Sequence, residues 1–180
     1  MAINSVTRAL GSGLTGALVM TALHETARRT IPAAPRLDTL GRRAIAEAMR
    51  EMNMRPPKGT QLQRWALAGD LVFNSLYFGL AGASRNNWWR APLLGLGAGL
   101  SAVALPPTLK LGRWPTRRTS ATKWMTVGLY VAGGLATAVA NTVFANAAKQ
   151  RKSNDGAEVD VGDRGGHNKP LTVEIDNNRA

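Results

Sequence analysis

Cysteine is absent from this chain of 180 residues, and histidine occurs only twice. Without thiols there can be no disulfide scaffold, thiolate zinc site, iron–sulfur cluster or cysteine nucleophile. His24-Glu25 would open a zinc-protease helix only if a second His stood four residues on, and that position is Arg28; the other histidine, His167, belongs to the polar C-terminal part. There is no G-x-S-x-G elbow. Phosphate-loop and dinucleotide fingerprints also fail, since the densest glycine cluster, Gly95-Leu96-Gly97-Ala98-Gly99, sits in an apolar run with no strand before it and no Lys after it. The expectation is a protein that is not an enzyme, with no cofactor and no metal.

Acidic residues are scarce as well: 11 Asp and Glu face 23 Lys and Arg, a formal net charge of +12. Residues 149–180 carry six of each sign, so the whole excess lies in residues 1–148 (17 minus 5). There the charges clump between four nearly uncharged stretches, and a mean hydropathy of -0.14 averages two unlike kinds of chain.

Crossing a hydrocarbon core of roughly 30 Å takes about 20 mostly apolar helical residues. The four stretches are residues 9–27, 65–83, 88–105 and 124–147, and they are apolar around the whole helix rather than along one stripe. The strictly apolar part of the third is short. Four of the five tryptophans, Trp65, Trp88, Trp89 and Trp124, fall at a stretch end, where an indole keeps its ring at headgroup level, and Trp114 lies in the connection between the third and fourth stretches. Twelve of the 19 glycines lie within the stretches, where they permit close helix approach; Ser12 with Gly16, Gly128 with Ala132 and Gly134 with Ala138 are small-residue pairs of that kind. The first stretch lacks a signal-peptidase pattern and ends in His-Glu, which favours a retained helix over a cleaved leader. The predicted fold is therefore all-α: a four-helix transmembrane bundle over residues 1–148, followed by a disordered polar tail, residues 149–180. Alternation at residues 171–175 resembles one strand with nothing to pair with.

The first connection, residues 28–64, holds nine basic and three acidic residues and has Pro32, Pro35, Pro56 and Pro57 near its ends. Between them Asp38 can cap an amphipathic helix over residues 38–54, with Leu40, Ala44, Ala48 and Met52, flanked by Leu37, Ile45 and Met49, opposite Arg42, Arg43, Glu47, Arg50 and Glu51. Arg42, Arg43 and Arg50 are candidates for binding lipid headgroups or a partner; a solvated basic face that only sets topology is the alternative. The first and third connections hold fourteen Lys and Arg against six on the other side (Arg8, Arg85, Arg90, Lys149, Arg151 and Lys152). The positive-inside rule then places both large loops in the cytoplasm and both termini outside.

Asp70 is an ionisable group inside a span, where a charge costs about 2.5–3.5 kcal/mol on insertion scales. Asn74 and Tyr77 share its helix face. Two readings stand: a proton or ion relay, or a polar clasp within the bundle. At the end of the first span Glu25 is placed to pair Arg28 and Arg29, and with His24 they make a helix-end cluster.

The strings His24-Glu25-Thr26-Ala27-Arg28-Arg29, Ala34-Pro35-Arg36-Leu37-Asp38 with Leu40-Gly41, and Ala68-Gly69-Asp70-Leu71 with Asn74-Ser75-Leu76-Tyr77 resemble those of small bacterial multi-pass integral-membrane proteins. That resemblance covers roughly residues 9–148 and implies an inner-membrane location without implying a reaction. The leading expectation is a non-enzymatic structural or interaction component of the membrane, with a basic loop for anionic lipid or a partner and helices that can meet a further helix or a second copy. The alternative is a small transporter or proton-coupled channel subunit using Asp70, in which Asn74, Tyr77 and also His24 would meet it in one cavity. Nucleic acid is not expected, because the aromatics occur with the apolar runs rather than between the basic residues.

Overall fold

The computed structural model describes residues 2–82, 88–109, 111–112 and 114–164, with side chains from Ser5 to Arg151 within those ranges, Trp114 excepted. The described chain is all-helical. It comprises α1 (Ala2–Thr30), α2 (Leu37–Glu51), α3 (Gly59–Gly82), α4 (Arg90–Ala104), α5 (Trp114–Arg117) and α6 (Ser120–Arg164), with no strand among the described residues. By contacts it divides into two compact units, residues 1–145 and 146–180. In the second the described chain is helix as far as Arg164. The run of Lys149, Gln150, Arg151 and Lys152 consists of good helix formers, which extend an existing helix at little cost. Helix therefore occupies residues 149–164 of the expected tail, while His167 and residues 171–175 lie outside the described residues.

In the first unit the helices meet through residues with little or no side chain. Gly13 and Ala9 of α1 lie against Gly79 and Gly82 of α3, which makes the pair antiparallel. Gly11 and Gly16 of α1 face Phe144 and Thr137 of α6. Gly95 and Gly99 of α4 lie on Tyr130 and Val127 of α6, and Gly134 lies on Ala91. Tyr77 of α3 donates its hydroxyl to the Leu94 carbonyl of α4 at 3.1 Å. These contacts close a ring in the order α1, α3, α4, α6. Met20, Phe78 and Leu129 fill its centre, with Leu37, Tyr77, Met125 and Tyr130 packed on them.

Three buried hydroxyls of the ring are satisfied on their own helices, while Asn141 Oδ1 of α6 is buried without a hydrogen-bond partner among the described residues. Ser12, Thr126 and Thr137 are buried and donate to the carbonyls of Ala9, Thr122 and Gly133 three or four residues back on their own helices. A hydroxyl spent in this way leaves a smooth surface for the neighbouring helix.

The element boundaries depart from the sequence expectation in ways that local chemistry explains. α2 stops at Glu51 rather than at residue 54, because Asn53 takes φ 58 and closes a Schellman motif: its amide donates to the Arg50 carbonyl at 2.9 Å and the Met54 amide to the Met49 carbonyl at 2.8 Å. α3 begins at Gly59, earlier than residue 65, directly after Pro56-Pro57-Lys58. Thr119 starts α6 before residue 124 by accepting from the Thr122 amide at 3.1 Å. α5 was not anticipated.

Two stretches, Ser5–Thr30 and Ser120–Arg151, are long and apolar enough to cross a membrane. α3 is not among them, since Asp70, Asn74 and Ser75 interrupt its apolar run. α4, at 15 residues, rises about 22 Å and falls short of the hydrocarbon thickness.

Candidate functional site

One end of the first unit gathers the C-terminus of α1, all of α2, the start of α3 and the start of α6. The link between α1 and α2 is latched there from several sides. The Arg36 amide donates to the Pro115 carbonyl at 2.7 Å, Thr122 donates to the Ala33 carbonyl at 2.9 Å, and Arg118 donates to the Pro32 carbonyl. Beneath them His24 is buried, its Nε2 3.1 Å from the Pro35 carbonyl oxygen and 3.3 Å from the Leu37 amide nitrogen. A single ring nitrogen either donates to the first or accepts from the second, according to tautomer; both arrangements fasten the start of α2 to α1.

The helix-end cluster therefore splits. His24 faces inward, while Glu25 accepts two bonds from Arg28 Nη2, at 2.7 and 2.8 Å, and one from Arg29 Nε at 2.8 Å. Both pairs are partly exposed, a setting in which ion pairs contribute little to stability.

Through Gly41 and Ile45 α2 docks on Ala66 and Gly69 of α3. The contact stripe is thus Leu37, Gly41 and Ile45, rotated to the Leu37 and Ile45 flank of the expected apolar side; of its central line of Leu40, Ala44, Ala48 and Met52, Ala48 and Met52 are exposed. That rotation leaves the three arginines singled out from sequence along one open cleft of ≈ 360 Å³. Arg42, Arg43 and Arg50 line it with Glu47, and Ala46, Leu62 and Leu111 supply an apolar floor and wall. Arg43 Nη1 donates to the Leu111 carbonyl at 2.6 Å. Gly112 makes this approach feasible: it adopts φ +85, and a Cβ there would stand 2.6 Å from that same nitrogen. Arg42 holds Asp38 and Thr39 only at 3.4 Å each, and Arg50 pairs with Glu47 at 2.9 Å. Three positive side chains and one negative give the lining a formal charge of +2.

The second candidate lies deeper, on α3. Asn74 is buried and donates to Asp70 Oδ1 at 2.9 Å, a bond within one helix. Asp70 is within electrostatic reach of His24 on α1 and Tyr130 on α6. Tyr77 turns to α4, stacked on Phe73 with ring centroids 6.3 Å apart. The three residues expected on one face are thus all on the inner side of α3, but Tyr77 alone makes a hydrogen bond to another helix. Among the described residues, no three His, Cys, Asp or Glu side chains converge as a metal site.

Sequence reasoning missed Leu111 with Gly112, and Tyr130. A lone glycine in a loop and a lone tyrosine in an apolar run are too common to single out; what identifies them is a partner distant in sequence. Comparison with family profiles, curated proteins and solved structures returns no match, so the chemistry rests on this geometry alone.

Proposed function

We propose that this chain is a multi-pass protein of the cytoplasmic membrane, a four-helix transmembrane bundle of α1, α3, α4 and α6 with a non-enzymatic structural or interaction role. The observation that carries this reading is the direction in which apolar side chains point. Leu10, Leu14 and Leu18 of α1, Val72, Phe73 and Leu80 of α3, Leu93 and Leu100 of α4, and Val139 and Val143 of α6 are all exposed, Phe73 by 68% and Leu80 by 66%. Inside, apart from the cluster of Met20, Phe78 and Leu129, are mainly Gly, Ala, Ser, Thr and Asn. Only 33% of the apolar window of each candidate span is buried, whereas the core helix of a water-soluble protein buries most of such a window. An exposed apolar surface this continuous needs lipid around it. The seating of Gly13 and Gly16 of α1 against α3 and α6 supports retention of the first helix. The placement of both arginine-rich connections at one end of the bundle supports that end as cytoplasmic.

The absence of cysteine makes the test clean. Single cysteines at Val72 and Val139, both exposed on spans, should resist a membrane-impermeant maleimide in intact membranes. Lys58→Cys, in the loop after α2, should react only once the cytoplasmic side is opened. Ready labelling at Val72 and Val139 in unbroken membranes overturns the reading.

A second reading, a small proton-coupled transporter or channel subunit, is favoured by the position of Asp70 within electrostatic reach of His24 and Tyr130 from two other helices. Asp70→Asn keeps an acceptor for Asn74 but has no proton to exchange. Abolished proton flux in reconstituted vesicles would support transport; unchanged flux removes it and leaves a purely structural polar face.

A further inference from the structure

We propose that the cleft on α2 is a discrete site for the phosphate group of an anionic phospholipid, seated by Arg42, Arg43 and Arg50; this rests on the membrane reading above. A basic surface at a membrane attracts anionic lipid diffusely, whatever its shape. Three features here describe something narrower.

First, the arginines differ in how they are held. Arg43 is fixed by the Leu111 carbonyl through Nη1, so the rest of its guanidinium is presented in one orientation. Arg42 has only two long bonds of 3.4 Å, at the outer limit of useful geometry, and can exchange them for a phosphate oxygen. Arg50 pairs with Glu47 at the exposed surface, a weak hold that leaves its guanidinium adjustable. One oriented fork and two adjustable ones suit a tetrahedral oxyanion that takes hydrogen bonds from several directions.

Second, the cleft is not polar throughout. Ala46, Leu62 and Leu111 form its apolar side, and exposed Trp65 stands one turn beyond Leu62 on α3. A tryptophan at that level marks the boundary between headgroups and acyl chains. An amphiphile can place its phosphate among the arginines and its glycerol backbone along this side, whereas a free phosphate ion gains nothing from it.

Third, size and charge agree. A space of ≈ 360 Å³ lies at the lower end of small-molecule sites, and the +2 lining matches a single phosphate group rather than a long polyanion.

The test uses the full chain in a neutral detergent, titrated by calorimetry with short-chain phosphatidylglycerol, short-chain phosphatidylcholine and inorganic phosphate. Phosphatidylglycerol should saturate one site, with at least tenfold weaker binding of the other two. Arg42→Gln with Arg50→Gln, neither of which breaks a contact between elements, should weaken phosphatidylglycerol about tenfold. Arg55→Gln with Lys58→Gln removes the same charge outside the cleft and should change it less than twofold. Equal losses in the two double variants would show diffuse attraction and overturn the proposal, as would absent saturation or inorganic phosphate binding as tightly as the lipid. An alkaline wash of native membranes separates the two levels. A wild-type protein that washes off removes the membrane reading and the site together; one that stays but shows no cleft dependence removes the site alone.

Discussion

One added methyl group divides the glycines of this chain into two kinds. At Gly13 a Cβ would stand 2.6 Å from the Gly79 amide nitrogen and 2.9 Å from its Cα, both backbone atoms that cannot yield without separating α1 from α3. At Gly128 it would meet nothing within 4 Å. Gly13→Ala should therefore cost about 1–3 kcal/mol through overpacking, while Gly128→Ala should be neutral or gain up to about 1 kcal/mol of helix propensity. Thermal unfolding of the two purified variants beside the wild type measures the contrast. Nothing in the sequence distinguishes these positions. The pair Gly128 and Ala132 reads like Gly134 and Ala138, yet of the two glycines Gly128 faces open space and Gly134 lies against another helix, at Ala91 and Pro92. Spacing along a helix is legible; the rotation that decides which small residue meets a neighbour is set by the neighbour.

Among the elements, α2 shows what local signals carry. Helical spacing and prolines on either side were enough to place a helix there, and its basic side lines the cleft, but Asp38, expected to cap it, lies inside the first turn and Arg36 holds the N-cap position without a side-chain bond. The end was less legible, because residues 52–54 continue the apolar spacing. Asn53 decides it by accepting a left-handed backbone. Asn53→Val, with a branched side chain at φ 58, should destabilise the protein by about 1–2 kcal/mol, whereas Asn53→Gly should be nearly silent; denaturant unfolding in detergent followed by circular dichroism reads both. The centre of the docking stripe of α2 is less legible for a similar reason. Hydrophobicity centres the apolar side on Leu40, Ala44, Ala48 and Met52, with Leu37, Ile45 and Met49 at its flanks, but the surface offered by Ala66 and Gly69 of α3 accepts Gly41 and Ile45, and shape outweighs hydrophobicity where exposed apolar side chains are tolerated.

For the molecule as a whole, helical class and two membrane-length apolar helices were readable because both depend on composition over twenty residues, while α3 falls short of that measure by its polar residues and α4 by its length. The assembly of the polar residues was not readable. His24, grouped with Glu25, Arg28 and Arg29 at the helix end by proximity in sequence, faces inward instead and fastens the link to α2. The inward placement of Gly, Ala, Ser and Thr has a thermodynamic consequence. On the proposed membrane reading, parting these helices inside a bilayer would transfer little hydrocarbon into water, and the large positive heat-capacity increment that bends the stability curve of a water-soluble domain arises from such transfer. Helix dissociation within lipid should thus vary almost linearly with temperature, with no cold-side loss of stability.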